Sequence, residues 1–283
     1  TITVYVLGHR PGGGAKTSTL TALPQAQGLF HKASIESGST LRLRTKESAM
    51  DTTRAVLACL GLREKKARDI LKIPAEKLIE AQLDLSRTPA PSNTSVSRAL
   101  AGGLGFSPVV DGRYIPAHPY DPTAPAISAK VPLLVGTNKD ESIFMFRSTP
   151  EIFSLDEAGL RRRLESTFKD RTDKILDVYR RTRPRDSPTD LYIAITTAQW
   201  MWANAITMAE RKVALKAAPV YMYIFAYELD TPVRQDVAYP MKAAHAMEIP
   251  FKFNHPQNDA SAGKQAARLQ ATKNMSKAWA TFA

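Results

Sequence analysis

Three places in this chain join reactive residue types to positions that could present them. They are a glycine-rich turn at residues 8 to 14, an acidic segment at Asp140-Glu141, and His245 among small neighbours. The turn reads Gly8-His9-Arg10-Pro11-Gly12-Gly13-Gly14 and follows an apolar run, Ile2 to Leu7. A strand that enters a helix through glycines serves either as a phosphate cradle or as the sharp turn that presents a catalytic serine. The cradle requires G-x-x-x-x-G-K-[ST]. Counted back from Lys16-Thr17, Ala15 and Arg10 stand where its two glycines belong, and no acidic strand end stands out as a Mg²⁺ partner. The serine turn requires a hydroxyl between glycines, and no Ser, Thr or Cys occurs from Gly8 to Gly14. Neither pattern is complete.

A serine nucleophile also needs a His base, a carboxylate that orients it, and N–H groups facing the developing oxyanion. Glu141 follows a short apolar run, Val131 to Val135, and His245 lies in a loop after a later strand. Their order after the turn, acid then His, suits that scheme. Of the five histidines, His9 is in the turn itself, while His31, His118 and His255 sit in polar or Pro-flanked contexts. His245, in Ala243-Ala244-His245-Ala246-Met247-Glu248, has neighbours small enough for other groups to approach the ring.

The elements that would position these residues alternate strand and helix. Ile2 to Leu7 reads as a strand buried on both faces, Thr17 to Leu29 as a helix and Lys32 to Glu36 as a second strand. That is a βαβ unit, so a mostly parallel sheet is expected. Helical patterns follow near Asp51–Leu60, Glu64–Leu71 and from Pro74 onward. Residues 86 to 106 read as a loop, and Asp111-Gly112 as a tight hairpin between apolar runs. Ser154-Leu155-Asp156-Glu157 predicts a capping box before the next helix. Further helices are expected over Asp173–Arg180, Asp190–Lys216 and Ala266–Phe282, with a strand over Val220–Tyr227 and a loop from there to His245. Helical excursions therefore interrupt the sheet near 45–85 and 150–216.

Bulk properties narrow the function classes. The net charge is +12, from 39 Lys and Arg against 27 Asp and Glu. The basic residues lie in LREKKARD at 62–69, LRRRL at 160–164 and YRRTRPR at 179–185, as solvated helix faces with no nucleic-acid signature. No apolar run reaches the length of a membrane span. The single cysteine, Cys59, aligns with Val56 and Leu60 on an apolar stripe, which predicts a core residue without metal-ligand companions. The chain opens in a strand without Met and stops inside a helical pattern, which leads us to expect a fragment.

Five blocks resemble one family. They are the opening strand with GGGAKTSTL; LPQAQGLFHKASIESG at 23–38; FSPVVDGRYIP with PLLVGTNKDES within 106–142; APVYMYIFAYE at 218–228; and AAHAMEIPFKF at 243–253. The chain resembles the C-terminal part of a type-B carboxylesterase, of the esterase–cholinesterase family and its bacterial members. The resemblance implies an α/β-hydrolase fold, a mostly parallel central sheet with helical insertions, incomplete here at the N-terminus and forming part of one domain over 1–283. It implies Glu141 as catalytic acid, His245 as base, and Ser37 and Glu248 as supporting residues beside them. The implied reaction is two-step acyl transfer on a small-molecule carboxylic ester, with no metal or cofactor, no nucleic acid and no membrane span.

The departure lies at the nucleophile. Where the family has G-x-S-[AG]-G, a count forward from Gly8 puts Arg10 at the serine position. A count back from Gly12-Gly13-Gly14-Ala15-Lys16 puts Pro11 there, with one residue inserted upstream and Gly12 as the oxyanion donor. The second count keeps the glycine run in register. Under the first, Pro11 would fill the oxyanion position, where it has no N–H to give. The chain as written is thus expected to be inactive. The other readings are an esterase-like scaffold kept for binding or adhesion, and more remotely a P-loop nucleotide binder. Substrate preference, oligomeric state and compartment stay open on the sequence.

Overall fold

The computed structural model describes residues 4–8, 10–87, 106–258, 262–263 and 266–283. Four strands form a parallel sheet in the order β1-β2-β3-β4. They are β1 (Tyr5–Gly8), β2 (Lys32–Glu36), β3 (Leu133–Asn138) and β4 (Val220–Phe225). The register sets Leu7 beside Ser34, Ser34 beside Leu134 and Leu134 beside Tyr221. Every neighbouring pair is parallel, so each connection must cross back over the sheet, and helices make those crossings.

Period-two alternation in β2 divides the core. Ala33 and Ile35 face one cluster with Phe30, Tyr120, Leu133, Val135 and Met208. The opposite face packs Leu134, Phe225, Phe251, Met275 and Trp279. Ser34 and Glu36 belong to that second face, and both are completely buried. Alternation of this kind ordinarily marks a solvated face; here the polar side of β2 is covered and must find partners inside.

Helix α1 (Arg10–Thr21) begins two residues after β1 ends. Thr17 to Leu29 had predicted a later start and end; instead the glycines lie within the helix, and a short 3₁₀ turn follows at Pro24–Ala26. Pro11 suits this placement, since a proline in the first turn gives up an N–H that has no helical partner. A Cβ added to Gly38 would lie 2.5 Å from the Gly14 Cα, so both glycines are required for α1 to press against the chain after β2. Lys16 is exposed and Thr17 buried, both beyond the first turn of α1. They do not flank a glycine loop as a phosphate cradle would require.

Between β2 and β3 run α2 (Lys46–Cys59), a 3₁₀ segment at Glu64–Lys72 and α3 (Ala75–Arg87). Cys59 is exposed, against the expectation of a core residue. The buried face of α2 is Thr52, Val56 and Leu57, and Cys59 falls off that face at the last helical position. Most of the loop read at 86 to 106 lies outside the described residues. The hairpin expected at Asp111-Gly112 is a turn without flanking strands. Asp111 Oδ1 accepts from the N–H groups of Arg113, Tyr114 and Ile115 at 2.8–2.9 Å, drawing the backbone donors to a side chain. Gly112 supplies the left-handed φ of +76°.

After β3 come α4 (Ser142–Phe146), α5 (Glu157–Phe168), α6 (Thr172–Thr182), α7 (Pro188–Thr197) and α8 (Ala203–Ala214). The cap of α5 is Asp156, which accepts from Gly159 N, and Ser154 ends a separate 3₁₀ turn. The predicted Ser154–Glu157 box is therefore corrected by two residues. A complete capping box occurs instead at Ser187 and Asp190, at the head of α7. A π-helical turn at Ala198–Trp202 joins α7 to α8 in place of one continuous helix. The stretch expected to be loop before His245 contains an antiparallel pair, β5 (Leu229–Arg234) and β6 (Val237–Lys242). Prolines at 232 and 240 disguised both strands. Helices α9 (Ile249–Lys252) and α10 (Ala267–Phe282) follow. No helix among the described residues is long and apolar enough to cross a membrane.

The basic runs lie on helix surfaces, as the charge pattern predicts. Leu160 and Leu164 are buried while Arg161 between them pairs with Glu165 and Asp173. Lys212 is instead buried: it is 2% exposed and donates to the carbonyls of Ser128 and Ala129. Burial lowers its pKa from 10.5 to about 8. Below pH ~8 both folded and unfolded states hold the proton, and the cost of the buried cation is fully present. Between about 8 and 10.5 the unfolded state binds more protons, so stability contributed at this site rises with pH. Urea denaturation at pH 7.5 and 10 is expected to show the wild type gaining on Lys212→Met as pH rises. A pH-independent gap would contradict this.

Candidate active site

Beyond the carboxyl end of β3, Glu141 meets His245. Glu141 stands just beyond β3, ahead of α4, and is completely buried. Its Oε2 lies 2.6 Å from His245 Nδ1. Its Oε1 accepts from Asn138 N at 2.7 Å and from Ser37 Oγ. Three contacts on one carboxylate fix its position, and through it the position of the ring. With Glu141 as acceptor, Nδ1 carries the proton and Nε2, on the far side of the ring, is the position for proton transfer. His245 is itself 2% exposed and tilts against Phe144 at 5.8 Å between centroids.

Each partner is held by local structure. Ser37 follows β2 directly, adopts φ +52° and donates its N–H to Gly136 O at 2.9 Å. That left-handed conformation turns its hydroxyl toward Glu141 as the chain leaves the sheet. His245 sits in a tight turn in which Met247 N donates to Ala244 O and Ala246 takes φ +71°. Glu248 is completely buried and accepts from Asn138 Nδ2 at 2.6 Å. All four residues expected from sequence at the acid–base end, Glu141, His245, Ser37 and Glu248, are thus in one connected group.

The glycine-rich turn occupies the head of α1. Gly8 ends β1, and a Cβ there would lie 2.3 Å from Gly13 O, so strand and helix meet at a sharp corner. Arg10 and Pro11 are the first two positions of α1, and Gly12 is exposed with open space around its Cα. His9 lies outside the described residues. Helix α1 reaches the acid–base group through Gly14, which packs on Gly38, the residue after Ser37.

A second buried network adjoins the first, and sequence reasoning missed it. Glu36, next to Ser37, accepts from Ser34 Oγ at 2.6 Å and from Trp279 Nε1 at 2.8 Å, and pairs with Lys252 Nζ at 2.8 Å. Burial lowers the Lys252 pKa, and Glu36 pulls it partly back. The available signal was a lysine inside the apolar run IPFKF, an odd residue to bury unless paired. Asn138 was missed as well. It ends a strand with no exposed residue, where an amide is seldom placed without partners.

A cleft of about 590 Å³ opens at the carboxyl ends of β3 and β4, with Asn138, Lys139, Tyr179, Arg183, Thr197 and Trp202 among its walls. Along the π-helical turn, Trp202 lines this cleft, Met201 is buried in the core and Trp200 packs on Phe146. The remaining described histidines are locally engaged or exposed: His31 and His118 each accept a backbone N–H through Nδ1, and His255 stacks on Phe253.

A parallel sheet with an acid after one strand and a His in the loop after a later strand, behind a strand-to-helix corner, defines the α/β-hydrolase class. Within it, the chain belongs to the carboxylesterase family, whose model matches residues 2–283. It is 30% identical over 276 residues to the para-nitrobenzyl esterase of Bacillus subtilis (strain 168), covering 96% of this chain and 51% of that protein. It is 25% identical over 281 residues to the human cocaine esterase, covering 96% of this chain and 48% of that protein. Among solved structures, the Geobacillus stearothermophilus carboxylesterase EST55 at pH 6.2 superposes with a TM-score of 0.76 at 29% identity, covering 99% of this chain and 54% of that one. The chain spans about half the length of the curated relatives it matches.

Proposed function

We propose that this chain is the acid–base half of a carboxylic-ester hydrolase, with Glu141 and His245 as its acid and base. The observation that carries the reading is the Nδ1–Oε2 contact of 2.6 Å between two buried residues that are 104 apart in sequence. Burying an imidazole against a carboxylate costs solvation, and the arrangement leaves Nε2 free of that bond for proton transfer. The reaction is attack by a serine at the head of α1, formation of an acyl-enzyme, and its hydrolysis by water activated by the same His. Gly12 N–H, following Pro11, would face the oxyanion. In the chain as written Pro11 or Arg10 holds the nucleophile position, so it turns over no ester.

A scaffold retained for binding or adhesion is the second reading, and the absence of any hydroxyl or thiol between Gly8 and Gly14 favours it. Against it stands the intact Glu141–His245–Ser37 group, which a scaffold freed from catalysis does not need. A nucleotide site finds no support in the helical setting of Lys16 and Thr17. The readings separate in an ester assay on chains with a restored serine: dependence of the regained rate on His245 supports the hydrolase, and no regained rate supports the scaffold. The small-molecule carboxylic ester remains the substrate class under the first reading, with no cofactor required by its chemistry.

A further inference from the structure

Asn138 joins the two halves of the acid–base pair. We propose that it is a positioning residue, which sets the contact between Glu141 and His245 by holding the acid with its main chain and the base's loop with its side chain. The inference rests on the hydrolase reading for its catalytic consequence, but not for its geometry.

Asn138 is completely buried at the end of β3. Its backbone N donates to Glu141 Oε1 at 2.7 Å. Both protons of its Nδ2 are placed, one on Ala244 O at 2.7 Å and one on Glu248 Oε2 at 2.6 Å. Ala244 precedes His245 and Glu248 follows it by three, so the one amide nitrogen clasps the His245 turn on both sides. Two parallel bonds continue the clasp: Asp140 N donates to Ala243 O at 3.0 Å, and Ala243 N to Asp140 Oδ2 at 3.3 Å. The strand beneath is fixed by Lys139 N donating to Phe225 O at 2.8 Å.

The residue type follows from the donors required. Two acceptors, a carbonyl and a buried carboxylate, converge on a single side chain that must supply two protons and no charge. Asn does this. Asp in its place would supply none and would set a third carboxylate beside Glu141 and Glu248. Ala would leave both acceptors without this donor and free the turn to shift. Because a displacement near 1 Å costs about a hundredfold in rate, a loosened turn is a catalytic lesion even where the fold survives.

The test uses the 283-residue chain with ¹⁵N-labelled histidine. A His Nδ1–H bonded to a carboxylate gives a far-downfield proton resonance, assigned here by its loss in His245→Ala. Asn138→Ala is expected to move that resonance upfield or broaden it away, while the Trp279 indole resonance, bonded to Glu36, reports that the fold persists. An unchanged Nδ1–H resonance in a folded Asn138→Ala chain would overturn the proposal. If Asn138→Ala does not fold, Glu248→Ala removes one arm of the clasp and is expected to shift the resonance part of the way; no shift there would equally overturn it. In a serine-restored background, Asn138→Ala is expected to lower kcat about a hundredfold with KM unchanged. A restored chain without turnover would sink the hydrolase reading and leave the resonance test standing.

Discussion

A chain carrying His9→Gly, Arg10→Gln and Pro11→Ser is expected to hydrolyse p-nitrophenyl acetate at least about a thousandfold faster than the unaltered chain. Removing the nucleophile of a triad costs about six powers of ten in kcat. Restoring it returns the part of that factor which the surviving groups can support. Glu141 and His245 are already in contact at 2.6 Å, so the base and its orienting carboxylate need not be rebuilt. The assay belongs both in the 283-residue chain and in the longest reading frame that contains it, since the chain spans about half the length of its relatives. Adding His245→Ala to the restored turn should return the rate to that of the unaltered chain. A regained rate indifferent to His245 would mean that the new hydroxyl acts without the proposed base.

The second large effect concerns the buried ion pair behind Ser37. Lys252→Met is expected to destabilise the chain by about 3–5 kcal/mol, because it leaves the Glu36 carboxylate buried without its counter-ion. Glu36 is completely buried and Lys252 5% exposed, so solvent cannot take over. The double variant Glu36→Gln with Lys252→Met should recover most of the loss, since a neutral amide can still accept from Trp279 Nε1 and Ser34 Oγ. Denaturant unfolding of the two single variants and the double measures the coupling. Additive losses would show that the two charges do not compensate one another. The result also bears on the site, because Glu36 precedes Ser37 and ties β2 to α9 and α10.

Much of the framework was legible because it is written in local patterns. β2 was read to its bounds, and Glu141 and His245, singled out by strand-end position and chain order, lie in contact. What escaped lies in long-range pairing. The polar side of β2 has the pattern of a solvated face, and partners more than 200 residues away, Lys252 and Trp279 among them, help to make it interior. Asn138 carries no local mark of its bonds to the His245 turn, 106 and 110 residues later. Cys59 misled because a helical stripe does not specify where a helix stops facing the core. The cap of α5 went to Asp156, two residues after Ser154, because a carboxylate can cap Gly159 N without the Glu that completes a box. β5 and β6 were lost to their prolines, which are tolerated in a two-stranded ribbon where a central strand would exclude them.

The central claim is that Glu141 and His245 are a working acid–base pair facing a corner that lacks its serine. Intact-mass measurement after brief exposure of the restored chain to p-nitrophenyl acetate tests it most directly. One acetyl group on residue 11, absent from the unaltered chain and from the restored chain bearing His245→Ala, is the expected result. An adduct that forms equally without His245, or no adduct at all, would contradict the claim.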